Sequence, residues 1–79
     1  MRKIVLPRKG MDTISVYDVD ENTPIFAKKG GVLHGMLVKD SEGWIVRIGG
    51  ENGAYGYRKT LRECIEDGST RFEYEFFVV

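Results

Sequence analysis

Apolar and polar residues alternate along much of this chain, which is the pattern of half-buried β-strands. In the segment TISVYDV, Ile14 and Val16 fall on one face of the strand. Ser15 and Tyr17 fall on the other. Other β-prone runs end at a proline, at the polar segment DENT or at a glycine pair. The pattern predicts strands over residues 3–6, 13–19, 25–28 and 71–79.

The middle of the chain predicts a β-hairpin. Two β-rich runs, VLHGMLVKD and GWIVRIGG, flank the turn sequence DSEG, whose glycine suits the left-handed position of a four-residue loop. On the second strand, Trp44, Val46 and Ile48 share one face. Ile45 and Arg47 share the other face, so the tryptophan face is the better candidate for the core.

A short helix is predicted after residue 60. Thr60 and Glu63 have the spacing of a capping box, in which side chains satisfy the free backbone N–H groups of a helix start. Leu61 begins an apolar stripe that continues three and four residues later. Gly68 is a typical left-handed stop, so the helix is expected to have about two turns and to lean on the sheet.

Together these elements predict an α+β fold. We expect a small, mostly antiparallel five- or six-stranded sheet packed with one short helix in the C-terminal half. The helical segment is long enough for a crossover, so the pattern is compatible with one parallel strand pair. A length of 79 residues fits one compact domain over residues 1–79, with a thin core.

Charge and cysteine content narrow the function classes. Twelve basic and twelve acidic residues cancel, which argues against a strongly basic nucleic-acid coat. Cys64 is the single cysteine, so no intrachain disulfide framework is available, and a reducing cytoplasm is the expected location. The N-terminal apolar run is too short for a secretory signal or a membrane span, so no membrane partner is expected. Small domains without disulfides often gain stability by association, so we expect a homo-oligomer.

A glycine-rich segment, GGENGAYGYRKT at residues 49–60, is the main candidate for a binding site. A strand, a glycine-rich loop, cations and a helix N-terminus follow one another in the order that phosphate sites use, although the P-loop and dinucleotide signatures are absent. The tyrosines could stack on a base, and the cations could pair with phosphate. The candidate ligand-binding residues are Gly50, Gly53, Tyr55, Gly56, Tyr57, Arg58, Lys59, Thr60 and Arg62.

The same segment can instead be a structural connection. In that interpretation the glycines reverse the chain, the tyrosines cover the rim of the core and the cations are solvated. Connections of around 4 to 6 residues are typical, and this one is roughly twice as long and contains two aromatic residues, which favours a role beyond linking two elements.

Two macromolecular partners are alternatives. Basic doublets at residues 2–3, 8–9, 28–29 and 58–59 would form a strip for single-stranded nucleic acid beside the tyrosines if their turns gathered at one end of the sheet. The neutral net charge makes nucleic acid the less favoured partner. A protein partner could instead pair with an exposed edge strand or with the apolar C-terminal strand, as in small inhibitors and adaptors.

Metal binding and catalysis have weak support. The segment DVDEN at residues 18–22 imitates the start of a calcium loop, but Thr23 and Lys29 stand where glycine and glutamate are required. His34 and Cys64 are the only residues that could form a nucleophile and base pair of the cysteine type. No catalytic set of three residues can be assembled, so we predict no enzyme, no metal site and no cofactor.

The sequence therefore predicts a small non-enzymatic, cytoplasmic binding protein. The favoured hypothesis is that it holds an anionic, nucleotide-like ligand with the glycine-rich loop and the helix N-terminus. The first alternative is an inhibitor or adaptor for a protein partner, of the accessory type found in phages and mobile elements. The second alternative is a single-stranded nucleic-acid binder.

Overall fold

The fold is a single twisted sheet with one helix packed on one of its faces. A computed structural model describes residues 1–6, 10, 12–49, 51–52 and 55–79, with the backbone alone for 51–52. The elements in chain order are β1 Arg2–Val5, β2 Thr13–Ser15, a short 3-10 helix Val16–Asp18, β3 Ile25–Lys29, β4 Val32–Asp40, β5 Gly43–Ile48, β6 Glu51–Asn52, α1 Leu61–Arg71 and β7 Glu75–Val78.

The strand order across the sheet is β2-β1-β7-β3-β4-β5-β6. Six of these strands have three or more residues, and β6 has two. All pairings are antiparallel except that of β1 with β2. The predicted α+β class, with a mostly antiparallel sheet and one helix in the C-terminal half, is confirmed. The parallel pair, however, joins two consecutive N-terminal strands and does not use α1 as its crossover.

Two tight turns build the central part of the sheet. Gly30 and Gly31 connect β3 to β4 with φ values of 58° and 78°, a left-handed conformation that suits glycine. Asp40 pairs with Gly43 across the second turn, so this loop has two residues between paired positions and not the four that the sequence predicted. Gly43 has a φ of 127°, which confirms that a residue without a side chain is needed there.

The core lies between α1 and one face of the sheet. Trp44 and Val46 are buried in it, and Ile48 packs against it, which confirms the predicted inward face of β5. Cys64 and Ile65 of α1 are buried against the same cluster. Strand β7 lies between β1 and β3, so the C-terminal strand is inside the sheet, as predicted, but it covers Glu75–Val78 and not residues 71–79, because α1 continues to Arg71.

The predicted strand over residues 13–19 is wrong in its second half. It ends at Ser15, whose hydroxyl accepts a hydrogen bond from the Tyr17 backbone N–H at 3.3 Å. This cap starts the 3-10 helix, so Val16 turns into the core while Tyr17 is left 65% exposed. A local side chain to backbone hydrogen bond therefore overrides the alternating pattern.

Gly68 is not the helix stop that the sequence predicted. The helix has 11 residues, about three turns, and continues to Arg71. Gly68 is buried inside it, where an added Cβ would lie 2.6 Å from Phe76 Cζ and within 3.0 Å of Tyr55 Oη. The glycine is therefore required by close packing of the helix on the sheet and not by backbone conformation.

Candidate functional site

The backbone of the glycine-rich segment closes one edge of the sheet. Its β6 residues pair with Arg47 and Ile48 of β5. Farther along, Arg58 N–H donates to Trp44 O at 2.9 Å and Trp44 N–H donates to Arg58 O at 2.8 Å. The described residues Glu51, Asn52 and Arg58 thus lie along β5 and satisfy backbone groups that an edge strand would otherwise expose.

Tyr55 is a core residue. It is 7% exposed, and its ring stacks on Phe72 with centroids 4.7 Å apart and an interplanar angle of 8°. Its hydroxyl donates to the backbone oxygen of Cys64 at 2.7 Å. Burial raises the pKa of the Tyr55 hydroxyl, and it also raises the pKa of the Cys64 thiol. The Tyr55 ring therefore anchors the loop to the helix and is covered by protein on its stacking face.

Tyr57 is held at the opposite face of the sheet. Its hydroxyl donates to Asp40 Oδ2 at 2.7 Å. This hydrogen bond is the main cause of a lowered pKa for the Asp40 carboxyl, and Arg47, 3.8 Å away, adds to the effect. Tyr57 thus connects the glycine-rich segment to the end of β4.

Arg58 forms an ion pair within the fold. Its Nε donates to Asp67 Oδ2 at 2.6 Å, and its Nη1 donates to the backbone oxygens of Gly56 and Tyr57. The hydrogen bond to Asp67 raises the pKa of the guanidinium. The guanidinium also lies 5.3 Å from the Tyr55 ring centroid, in cation–π range. Four groups of the protein therefore compete with any ligand for this side chain.

The remaining candidates lie at the start of α1. Thr60 is the N-cap, as predicted, and accepts from the Glu63 backbone N–H at 3.1 Å. The Glu63 carboxylate lies against the Thr60 hydroxyl and places a negative charge at this helix end. Lys59 is exposed, and Arg62 lies 3.8 Å from Glu66 on the next turn. Anion binding by Lys59, Thr60 and Arg62 stays a prediction. Gly50 and Gly53, the other two candidates, lie outside the described residues.

The basic doublets at residues 28–29 and 58–59 do not gather at one end of the sheet, as the predicted strip requires. Lys28 is level with Leu33 near one end of β4, whereas Arg58 is level with Trp44 and Lys39 near the other end. These levels are six positions apart on β4, which is roughly 20 Å at about 3.3 Å per residue. The doublet at residues 8–9 lies outside the described residues.

His34 and Cys64 have different neighbours. The His34 ring meets the edge of the Tyr74 ring at 5.8 Å, while the Cys64 sulfur lies 3.6 Å from Tyr55 Oη. Among the residues that the structure describes, no three metal-ligating side chains come together.

A surface that the sequence analysis did not single out lies on the sheet face opposite α1. We call it the outer face. Ile45 is 3% exposed there and yet lies outside the main core cluster, while Leu33, at the hairpin end, is 57% exposed. The other members are half-buried. The cross-strand register places on this one face Val5, Phe26, Leu33, Met36, Val38, Ile45 and Phe77.

The outer face has an open groove and a charged border. The groove, of about 340 Å³, is lined by Gly35, Met36, Val38, Arg47 and Gly49. At the border, Lys3 Nζ lies 2.9 Å from Glu75 Oε2, and Lys28 Nζ lies 4.9 Å from the Phe77 ring centroid. The signal in the sequence was the presence of apolar residues on both faces of the C-terminal strand.

Comparison with known proteins provides no relative. No family model, no curated protein and no solved structure matches the chain. No helix in the described part of the chain is long and apolar enough to span a membrane.

Proposed function

We propose that this protein is a non-enzymatic binding protein whose partner is another protein, and that the partner docks on the outer face. The observation that carries this proposal is the apolar outer face itself. In the described structure α1 packs against β5, β7 and the 3-10 helix on the core side, and no described helix covers the opposite side. Partly exposed apolar side chains grouped on a sheet face that no described helix covers are typical of protein contact sites.

The arrangement of the outer face suits a protein partner. Its centre is apolar, with two phenylalanines, and its border has the ion pair between Lys3 and Glu75. An apolar centre inside a polar rim is the usual arrangement of protein interfaces.

The role as an inhibitor or adaptor follows from this proposal. A partner held on the outer face would leave the opposite side of the molecule, with α1, exposed to other contacts. A small chain that binds in this way acts by blocking the partner's surface or by bringing a second protein to it.

The test is the capture of partners by the tagged protein and by two variants of it. Phe77→Ser removes an aromatic side chain from the outer face, and we expect it to lose the proteins that the parent chain captures from its own cells. Tyr17→Ser is the matched control, because Tyr17 is exposed on the 3-10 helix and away from the outer face. Both variants are first checked for an unchanged unfolding midpoint. Equal capture by Phe77→Ser and the parent chain would refute the proposal.

The anionic-ligand hypothesis needs a test that leaves the fold intact. Substituting Arg58 would break its contacts with Asp67 and Tyr55, so loss of binding would not identify a ligand contact. Lys59→Ala with Arg62→Ala changes exposed side chains only. Native mass spectrometry of the purified protein reports a bound small molecule and the predicted homo-oligomer in the same spectrum, and the double variant should lose the small molecule if the hypothesis holds.

A further inference from the structure

Strand β4 is longer than its neighbour β5 and has an open edge. Met36 to Asp40 pair with β5 on one side, but Val32 to Gly35 pair only with β3, on the other side. No described strand pairs with this part of β4 on its β5 side. Such an edge exposes a row of unpaired backbone N–H and C=O groups, which can form hydrogen bonds with an added strand.

The side chains at this open edge are apolar and exposed. Val32 and Leu33 are 61% and 57% exposed, although they lie in a regular strand. Charged side chains and proline, which commonly protect open edges, do not occur between Val32 and Gly35, whereas a β-bulge, a third protecting device, does. A register shift between Ala27 and Lys28 leaves His34 as an extra residue in β4 and bends the strand at this place.

The groove of the outer face adjoins the open edge. Gly35 belongs to both, and Met36 and Gly49 continue the groove towards β5. The backbone of β5 lies against Gly35, because an added Cβ would overlap the backbone of Arg47 and would lie 3.2 Å from Ile48 Cα. The groove of about 340 Å³ is the depression beside the edge that an apolar side chain of an added strand can fill.

The charges that border the open edge have one sign. The two charged residues that pair with this part of β4 are Lys28 and Lys29, and both are basic. Lys28 and Lys29 lie over the rings of Phe77 and Tyr74, and neither forms an ion pair with a carboxylate of the described residues. An acidic segment complements this border electrostatically.

We infer that the partner contributes an extended, acidic segment that adds to the open edge of β4 along Val32 to Gly35. Alternate side chains of this segment fill the groove beside Gly35, and its carboxylates face Lys28 and Lys29. The inference rests on the proposed function, because it describes how the protein partner is held. A second copy of this chain is the poorer occupant, since pairing two such edges brings the lysines of both copies together.

The test begins with peptides of about ten residues, displayed on phage and selected on the intact protein. The selected peptides are expected to alternate apolar with other residues and to contain aspartate or glutamate. Each is then synthesised with N-methyl groups at alternate residues, in the two possible phases. Methylation of the N–H groups that face β4 should abolish binding, while methylation in the other phase should leave it, because only one side of an added strand pairs with β4.

Variants of the protein locate the binding edge. Leu33→Lys and Lys29→Glu should each weaken the binding of the selected peptide by at least about tenfold, as expected for loss of an edge contact or a charge-assisted contact. Tyr17→Lys and Lys59→Glu are the matched controls and should bind as the parent chain does. If Leu33→Lys fails to fold, Val32→Lys replaces it.

Three results would overturn the inference. They are the selection of no peptide, equal binding of both methylation phases, and selected peptides that bind Leu33→Lys as tightly as the parent chain. A dimer that forms through Val32 to Gly35 in the absence of peptide would assign the edge to a second copy and would also overturn it. Partner capture that depends on Phe77 but not on Leu33 would leave the proposed function standing and remove only the added strand.

Discussion

Replacing Gly68 by alanine tests the packing of α1 against the sheet. In an exposed helix position this change stabilises a protein by about 0.8 to 1 kcal/mol. Here the added Cβ would lie 2.6 and 2.8 Å from two ring atoms of Phe76 and within 3.0 Å of Tyr55 Oη. Phe76 is 1% exposed and Tyr55 is 7% exposed, so neither side chain has free space to move into.

Overpacking of this kind costs about 1 to 3 kcal/mol, and three close atoms place Gly68→Ala towards the upper end. After the gain in helix propensity, the net loss should be about 2 kcal/mol. Because 1 kcal/mol corresponds to about 4 to 8 °C in a domain of this size, Tm should fall by roughly 8 to 16 °C.

Urea and thermal unfolding measured by circular dichroism would check this loss. Ser69→Ala is the matched control, because Ser69 is the exposed neighbour in the same helix, and it should be neutral or slightly stabilising. An unchanged or raised Tm for Gly68→Ala would refute the close packing of α1 on the sheet.

Four further predictions concern the same region. Tyr55→Phe removes the hydroxyl that donates to the Cys64 oxygen and should lower the free energy of unfolding by about 0.5 to 1.5 kcal/mol in urea titrations. Arg58→Ala should lower Tm more than Lys59→Ala, because among the described residues Arg58 has an ion pair and Lys59 has none; equal shifts would contradict the structural role of Arg58. Trp44→Ala should cost about 3 to 5 kcal/mol, enough to unfold much of the protein by circular dichroism. Burial raises the pKa of the Cys64 thiol and of the Tyr55 hydroxyl, so the unfolded state loses these protons first, and stability should fall as pH rises above about 8.5. In Cys64→Ala the urea midpoint should stay constant until about pH 10, where tyrosine ionises.

The regular parts of this fold could be predicted from the sequence. The alternation in β5 correctly placed Trp44 and Val46 inwards, because strand periodicity and burial agree there. The helix cap at Thr60 could be predicted, because a threonine three residues before a glutamate satisfies free backbone N–H groups at a helix start, and this interaction is local in sequence. The glycine pair at residues 30–31, which ends a β-prone run in the sequence, forms a turn, because glycine adopts positive φ values without a steric penalty.

The failures have tertiary causes. Gly68 fits a local stop signal, but its role depends on Phe76, eight residues away on another element. The two tyrosines of the glycine-rich segment fit both a ligand site and a structural role, and their hydrogen bonds to Cys64 and Asp40 were not visible in the sequence. The outer face required the strand order, because its members come from five strands that are distant in sequence.

The most direct test of whether a protein partner docks on the outer face is site-specific photo-crosslinking in the cells that make this protein. A photoreactive phenylalanine analogue replaces Phe77 in one variant and Tyr17 in the other, and the adducts are identified by mass spectrometry. We expect a covalent adduct with a defined partner protein from position 77 and none from position 17. Adducts of equal yield from both positions, adducts of position 77 with a second copy of this chain alone, or no protein adduct at position 77 would contradict it.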